Sequence, residues 1–307
     1  MIRWRIIRPF DPWQSPLCTC PFKYTVNPYT GCGHGCLYCY ASSYIKDFFR
    51  PRPKENILIN VRKDLQNLPK GSVVELSASS DPFQPLEEKY GLTYKVSREI
   101  LLKGHKILYT TKAPNILLKY EDLLEEFKGK ISVAVTITTF RDDLAKKLEP
   151  NAPPPSVRID AVRKLSEMKI PVAVRIDPVI PYINDDPKDL EELIKIIADA
   201  GALQITSSTY KAKPDNFRRL TEVFKDLRDK LYQLYYIEGE YIRGYRYIPK
   251  KIRYDLMTLI KKYAVENNLK FATCREGFSE LNTPDTICDF QFYNRSSSSS
   301  LRSADPP

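Results

Sequence analysis

A chain of 307 residues, 42% hydrophobic and 28% charged, holds enough apolar side chains for one large core, which excludes disordered, collagen-like and mini-protein architectures. No apolar run reaches the roughly 18 residues of a membrane-spanning helix, and Arg3, Arg5, Arg8 and Asp11 leave no signal-peptide core, so a cytoplasmic protein without a membrane partner is expected. The net charge of +10 favours a polyanionic partner, and 24 Pro beside 3 Met suggest a thermophilic source.

In chain order, residues 1–22 form an N-terminal extension. Over 23–210, short β-branched runs alternate with amphipathic stretches. Strands are expected at Tyr24 to Asn27, Val73 to Ser77, Ile107 to Thr111, Ile131 to Ile137, Val172 to Ile176 and Leu203 to Thr206. Helices are expected at Ala41 to Phe49, Val96 to Lys103, Pro114 to Phe127, Ser156 to Met168 and Pro187 to Ala200. Six parallel strands with helices outside make an α/β fold, a partial (β/α)6 barrel, whose chemistry belongs at the C-terminal strand ends. Residues 211–294 read as a mainly helical extension, with helices at Asn216 to Tyr235 and Lys250 to Asn267 and a short strand at Lys270 to Thr273. Residues 295–307, with five consecutive serines, read as a disordered tail or cloning remnant.

Seven cysteines without an export signal argue for metal, cluster or catalytic roles. Cys32, Cys36 and Cys39 follow the first strand, with glycines at 31, 33 and 35 that let a short loop curl round one small object. Thiolates are the ligands iron–sulfur clusters select, and a cubane held by three of them keeps one iron open to an exogenous ligand. Two alternatives stand beside this: zinc with His34 as a fourth ligand, or three merely buried thiols.

At these residues the sequence resembles the radical S-adenosylmethionine (SAM) superfamily, and within it the spore photoproduct lyase-like group. Further landmarks of that group follow in order: Ser79 to Glu87, Thr110 to Lys112, Thr136 to Thr139, Leu148 to Pro153 and Asp177 to Pro181. The resemblance implies that Cys32, Cys36 and Cys39 ligate a [4Fe–4S] cluster whose open iron chelates SAM. It further implies one-electron cleavage of SAM to a 5′-deoxyadenosyl radical, fed by a reductant such as ferredoxin or flavodoxin.

SAM carries a carboxylate, an ammonium, a sulfonium and a ribose diol. Lys112 can meet the carboxylate, the role the resemblance gives it; Ser80 and Asp81 can accept from the ammonium or ribose, and Thr136 and Thr138 can reach the ribose hydroxyls. Each hydroxyl could equally be a local cap, and Asp81 a turn residue. Arg175, expected to point into the barrel, either contacts an anion of SAM or substrate or closes a salt bridge with a residue such as Asp177 or Glu75. Tyr38 and Tyr40 flank Cys39; the resemblance assigns such tyrosines to hydrogen transfer, while Tyr40 could simply pack on the loop. The group's hydrogen-donating cysteine falls at Ala78, so its DNA-repair reaction does not carry over with the motif.

Cys18, Cys20, Cys274 and Cys288 lie at the two ends of the barrel region and could offer four thiolates to a second cluster or a zinc ion, or be unpaired core thiols. Between Arg228 and Tyr263 basic residues interleave with eight tyrosines. Arg243, Arg246, Lys250, Lys251 and Arg253 could meet the phosphates of DNA or RNA, and the tyrosines could equally pack a helix onto the barrel. The expectation is a radical SAM enzyme with a possible nucleic-acid substrate. The alternatives are modification of a peptide, lipid or metabolite, or a non-catalytic metal-binding module.

Overall fold

The computed structural model describes residues 4–10, 15–76 and 79–290. Ala78, the end of the expected strand at Ser77 and the serine-rich tail lie outside the described residues. Eight strands form one sheet: β1 (Arg8–Pro9), β2 (Tyr24–Val26), β3 (Val73–Leu76), β4 (Lys106–Thr111), β5 (Ile131–Thr136), β6 (Val172–Val179), β7 (Gln204–Thr209) and β8 (Lys270–Thr273). Neighbours in space follow chain order from β1 to β8, and every pairing is parallel except that of β1 with β2. Because parallel crossovers are right-handed, a sheet whose order never reverses keeps its helices on one side and curls toward a barrel. The six expected strands are β2 to β7.

Alternation along each strand separates the two faces. Val172, Val174 and Ile176 of β6 join the large apolar core, as do Val74 and Leu76 of β3 and Ile131, Val133 and Val135 of β5. Their neighbours Arg175, Asp177, Glu75 and Thr136 line an interior cavity. The outer face is covered by α1 (Ile57–Leu65), α2 (Leu92–Leu102), α3 (Glu121–Phe127), α4 (Asp142–Leu148), α5 (Pro155–Glu167) and α6 (Pro187–Asp199). In α6 the side chains of Leu190, Leu193, Ile194 and Ile197 are buried at helical spacing, so the sheet-facing stripe supplies the helix with its stability.

Several expected helices are altered by local obligations. Ala41 to Phe49 is not a helix: a single turn at Ala41–Ser43 ends it, Asp47 takes a positive φ of 53°, and the Phe48 carbonyl accepts from the Cys32 amide at 2.9 Å. The stretch Pro114 to Phe127 breaks before α3, where Tyr120 leaves helical dihedrals and its hydroxyl reaches Glu87 Oε1 at 2.8 Å. Asn216 to Tyr235 also divides: α7 (Pro214–Val223) stops at Phe224, and a short helix at Arg228–Tyr232 runs into a π-turn at Gln233–Ile237. Helix α1, not expected from the sequence, buries Ile57, Val61 and Leu65 four residues apart. After α7 the chain forms a hairpin, Glu240–Ile242 with Tyr245–Tyr247, and α8 (Lys250–Glu266) leads back into β8. The short strand of the C-terminal region is thus a seventh parallel strand of the main sheet. Among the described residues no helix is long and apolar enough to cross a membrane.

Candidate active site

The loop after β2 carries Cys32, Cys36 and Cys39, all free thiols, onto one cavity of about 250 Å³ that Lys112, Thr136, Arg175 and Asp177 also line. Its conformation is fixed by its glycines and by outside partners. Gly31 has φ +78°, and a Cβ there would stand 2.3 Å from the Phe48 carbonyl oxygen; Gly35 has φ +71° with Asn151 and Pro150 against it. Only glycine accepts both the left-handed backbone and the close approach.

Partners from three elements strap the loop. The Ser80 hydroxyl donates to the Gly31 carbonyl at 2.6 Å, and Gln84 donates to the same carbonyl at 3.0 Å while accepting from the Gly33 amide at 2.9 Å. The Leu148 carbonyl accepts from the Leu37 amide, the His34 carbonyl from the Asn151 amide, and the Gly33 carbonyl from the Asn151 side chain. On the far side, Arg219 and Ser42 donate to the Cys39 carbonyl at 3.1 and 2.8 Å, and Asn216 of α7 donates to the Tyr38 carbonyl at 3.2 Å. Several of the loop's backbone polar groups are therefore met by partners outside it.

Burial pushes the Cys32 thiol up to about 12 and raises those of Cys36 and Cys39 as well. Thiols so placed are poor thiolates alone, and a cation must replace their protons. His34 lines the same cavity, and its Nε2 lies 3.2 Å from Asp81 Oδ2, a carboxylate that competes with a metal for that nitrogen. Among the described residues no three ligating groups close on a single ion. Three separated thiols round one cavity fit a cubane, which needs room between its ligands, better than zinc.

The other expected site residues divide. Lys112 reaches the cavity with its ammonium 5.4 Å from the Tyr38 ring. Burial would lower it, but the facing Cys36 and Glu149 outweigh that and hold it above the ordinary lysine value, a cation ready for a carboxylate. Thr136 lines the cavity; Thr138 does not, and its hydroxyl turns to Glu149 at 3.3 Å because the strand ends at Thr136 and the alternation with it. Asp81 is consumed by the protein: it accepts from the amides of Phe83 and Lys112 and from the Thr111 hydroxyl at 2.9, 2.7 and 2.7 Å. Burial would raise this carboxyl, yet His34, Thr111 and the Lys112 amide hold it down at about 2. Ser80 and Asp81 line the cavity and also hold the loop and the β4 exit in place. Arg175 points into the cavity and pairs with Asp177 at 2.6 Å, the salt-bridge alternative.

Tyr38 lines the cavity, is buried, and its hydroxyl bonds Glu149. Glu149 in turn pairs with Arg158 at 2.5 Å, both within 1% of full burial. Arg158 also donates to the carbonyls of Pro153 and Thr136 at 2.7 and 3.0 Å. Glu149 and Arg158 carried no expected role, although Glu149 lies inside the Leu148 to Pro153 landmark. Tyr40 also lines the cavity, with its ring 6.4 Å from those of both Tyr44 and Tyr245.

The basic segment is dispersed. Arg253 is buried, bonds Glu276 at 3.1 Å and Glu240 at 3.3 Å, and is unavailable to phosphate because α8 turns it inward. Tyr235, Tyr245, Tyr247 and Tyr263 are buried, as the packing alternative expects. Arg243, Lys250 and Lys251 remain exposed, Lys251 paired with Asp255, and Arg246 lies 5.3 and 5.1 Å from the rings of Tyr236 and Tyr241.

A sequential parallel half-barrel with a three-cysteine loop on its cavity defines a recognisable class. The Radical SAM superfamily model matches residues 26–197, and the chain belongs to that superfamily. It is 30% identical over 192 residues to the uncharacterized protein ORF301 of Acidianus two-tailed virus, a match covering 57% of this chain and 63% of that protein. It is 30% identical over 189 residues to the uncharacterized protein MJ0683 of Methanocaldococcus jannaschii, covering 60% and 70%. The chain thus spans a little under two thirds of the first relative. Among solved structures, a spore photoproduct lyase mutant with bound AdoMet and dinucleoside spore photoproduct superposes with a TM-score of 0.63 at 16% identity, over 85% of this chain and 79% of that one. SuiB of Streptococcus suis bound to S-adenosylmethionine gives a TM-score of 0.55 at 14% identity, over 83% and 52%. At these identities the likeness is one of fold.

Proposed function

We propose that the protein is a radical SAM enzyme in which Cys32, Cys36 and Cys39 hold a [4Fe–4S] cluster and the adjoining cavity holds SAM. The observation that carries this reading is the convergence of three free thiols and the Lys112 ammonium on one cavity. When bound, the cluster supplies the electron that breaks the S–C5′ bond of SAM and so yields a 5′-deoxyadenosyl radical. Lys112 binds the carboxylate, Thr136 accepts the ribose hydroxyls, and Asp177, held ionised by Arg175, offers an acceptor to the ammonium. Tyr40 and Tyr38, which both line the cavity, are the phenols that would meet a substrate. Ferredoxin or flavodoxin is the class of reductant this chemistry calls for.

For substrate, DNA or RNA is favoured by the net charge of +10 and by the exposed Arg243, Lys250 and Lys251 near Arg246 and its flanking tyrosines. A spore photoproduct lyase shares the fold, which makes a nucleic-acid substrate compatible with the architecture. An uncharged peptide, lipid or metabolite would need none of those cations.

The test is anaerobic reconstitution with iron and sulfide, followed by electron paramagnetic resonance with and without SAM and by assay of 5′-deoxyadenosine after reduction. A SAM-dependent change of spectrum and 5′-deoxyadenosine are expected. A spectrum indifferent to SAM, with no nucleoside released, removes the enzyme reading.

A further inference from the structure

The cysteines outside the loop come from opposite ends of the sequence and meet. Cys18 and Cys20 lie just before β2, at one side of the sheet; Cys274 follows β8, at the other. Cys288 sits on the segment that returns across the interior, where its carbonyl accepts from Thr206 at 2.9 Å and from Arg175 at 3.4 Å, while Gln204 donates to Ile287 at 2.8 Å. The sulfurs of Cys20 and Cys288 are 3.3 Å apart. Cys18 and Cys274 line the cavity beside Cys20, and the charges of the four thiols act on one another, which puts them in one neighbourhood. The Cys20 amide also points at the Cys18 sulfur at 3.5 Å. All four are free, and three of them line the cavity described above.

This group stands at the open seam of the half-barrel. Sequential order from β1 to β8 leaves the edges of the β1–β2 pair and of β8 unpaired with each other. Among the described residues, the seam is crossed by Lys23, which precedes β2 and pairs with Asp289 and Glu75, and by the thiol group. A Cys-x-Cys pair on one edge, a single cysteine on the other and one on the returning segment can close such a gap with four bonds to one ion, where no hydrogen-bond ladder exists.

We infer that Cys18, Cys20, Cys274 and Cys288 form a second, four-thiolate metal centre, distinct from the three-cysteine loop, that holds a soft cation of the zinc type and staples the seam. A tetrahedral zinc with bonds of about 2.3 Å keeps its thiolates about 3.8 Å apart, close to the contact already made by Cys20 and Cys288; a cubane needs them farther apart. As they stand the thiols touch one another rather than surround a common point, and rotation about χ1 replaces S–H···S contacts by S–metal–S bonds with release of the thiol protons. The Lys23 ammonium and the Arg175 guanidinium face the group, with Glu75, Asp177 and Asp289 behind them. Four protein ligands leave no open position, so this centre holds structure and does not bind SAM.

The test uses the full chain carrying Cys32→Ser, Cys36→Ser and Cys39→Ser together, so its result is independent of the SAM experiment. Protein grown with zinc and iron is counted for metal and sulfide. About one zinc per chain is expected, falling at least about tenfold when Cys20→Ser or Cys274→Ser is added. Should those added variants fail to fold, cobalt(II) titration of the triple variant reads the site directly, through thiolate-to-metal absorption in the near ultraviolet and tetrahedral bands in the visible. A metal-free protein that gives no such bands, iron and sulfide in place of zinc, or a Cys20–Cys288 disulfide found by mass spectrometry in reduced protein each overturns the inference.

Discussion

The cysteine loop and the segment 228–263 are both dense in reactive or charged side chains, and the fold treats them in opposite ways. In the loop, outside groups hold the backbone: Ser80, Gln84, Asn151 and Arg219 meet its carbonyls and amides, and the three thiols line the cavity. In the segment, the fold uses the side chains themselves. Arg253 answers Glu276 inside the core, with its guanidinium 5.2 Å from the Tyr247 ring and 5.3 Å from that of Phe278. Chemistry-bearing residues are free for function where neighbours relieve them of structural duty, and density of such residues alone does not reveal that.

The sharpest way to break this contrast is Arg253→Ala. If the residue is a core ion-pair member, its removal leaves Glu276 with Lys211, 3.3 Å away, as its remaining cation and empties a buried site, at a cost of about 2–4 kcal/mol in urea denaturation; a loss below about 1 kcal/mol would return Arg253 to the surface set. Gly31→Ala addresses the loop. A Cβ that must stand 2.3 Å from the Phe48 carbonyl oxygen, on a left-handed backbone costing about 1–3 kcal/mol, is expected to abolish iron uptake on reconstitution while far-ultraviolet circular dichroism keeps its barrel signature. Full iron uptake would mean the loop tolerates another path. Lys112→Ala should keep the cluster and weaken SAM binding about 10- to 100-fold, an effect of roughly 1.4–2.8 kcal/mol, measured by equilibrium dialysis. Unchanged affinity would take Lys112 out of the pocket.

The parts legible in the sequence were those whose cause is local. Strand positions followed from β-branched runs, and β2 to β7 lie within a few residues of the expected bounds; the thiol spacing lies in eight residues. What could not be read depends on partners far along the chain. The bond from the Ser80 hydroxyl to Gly31 spans 49 residues. That from Tyr38 to Glu149 spans 111. The stretch after Ala41 has helical composition, and loses its helix because Cys32 needs the Phe48 carbonyl. Helix α1 escaped notice although Ile57, Val61 and Leu65 recur at four-residue intervals.

The smallest expected effect tests whether any of the basic segment remains functional. Arg243 sits exposed at the hairpin turn with φ +46°, and Lys251 is 85% exposed beside Asp255. Neither has a core partner to lose, so Arg243→Ala and Lys251→Ala should each change stability by less than about 0.5 kcal/mol. If these side chains meet phosphates, each removal should instead flatten the dependence of log affinity on log salt for RNA or DNA by roughly one unit. The two readouts are independent, because exposed cations are screened by salt in folding and binding alike but only binding releases counterions. A stability change without a slope change would assign these residues to packing, the fate already met by Arg253.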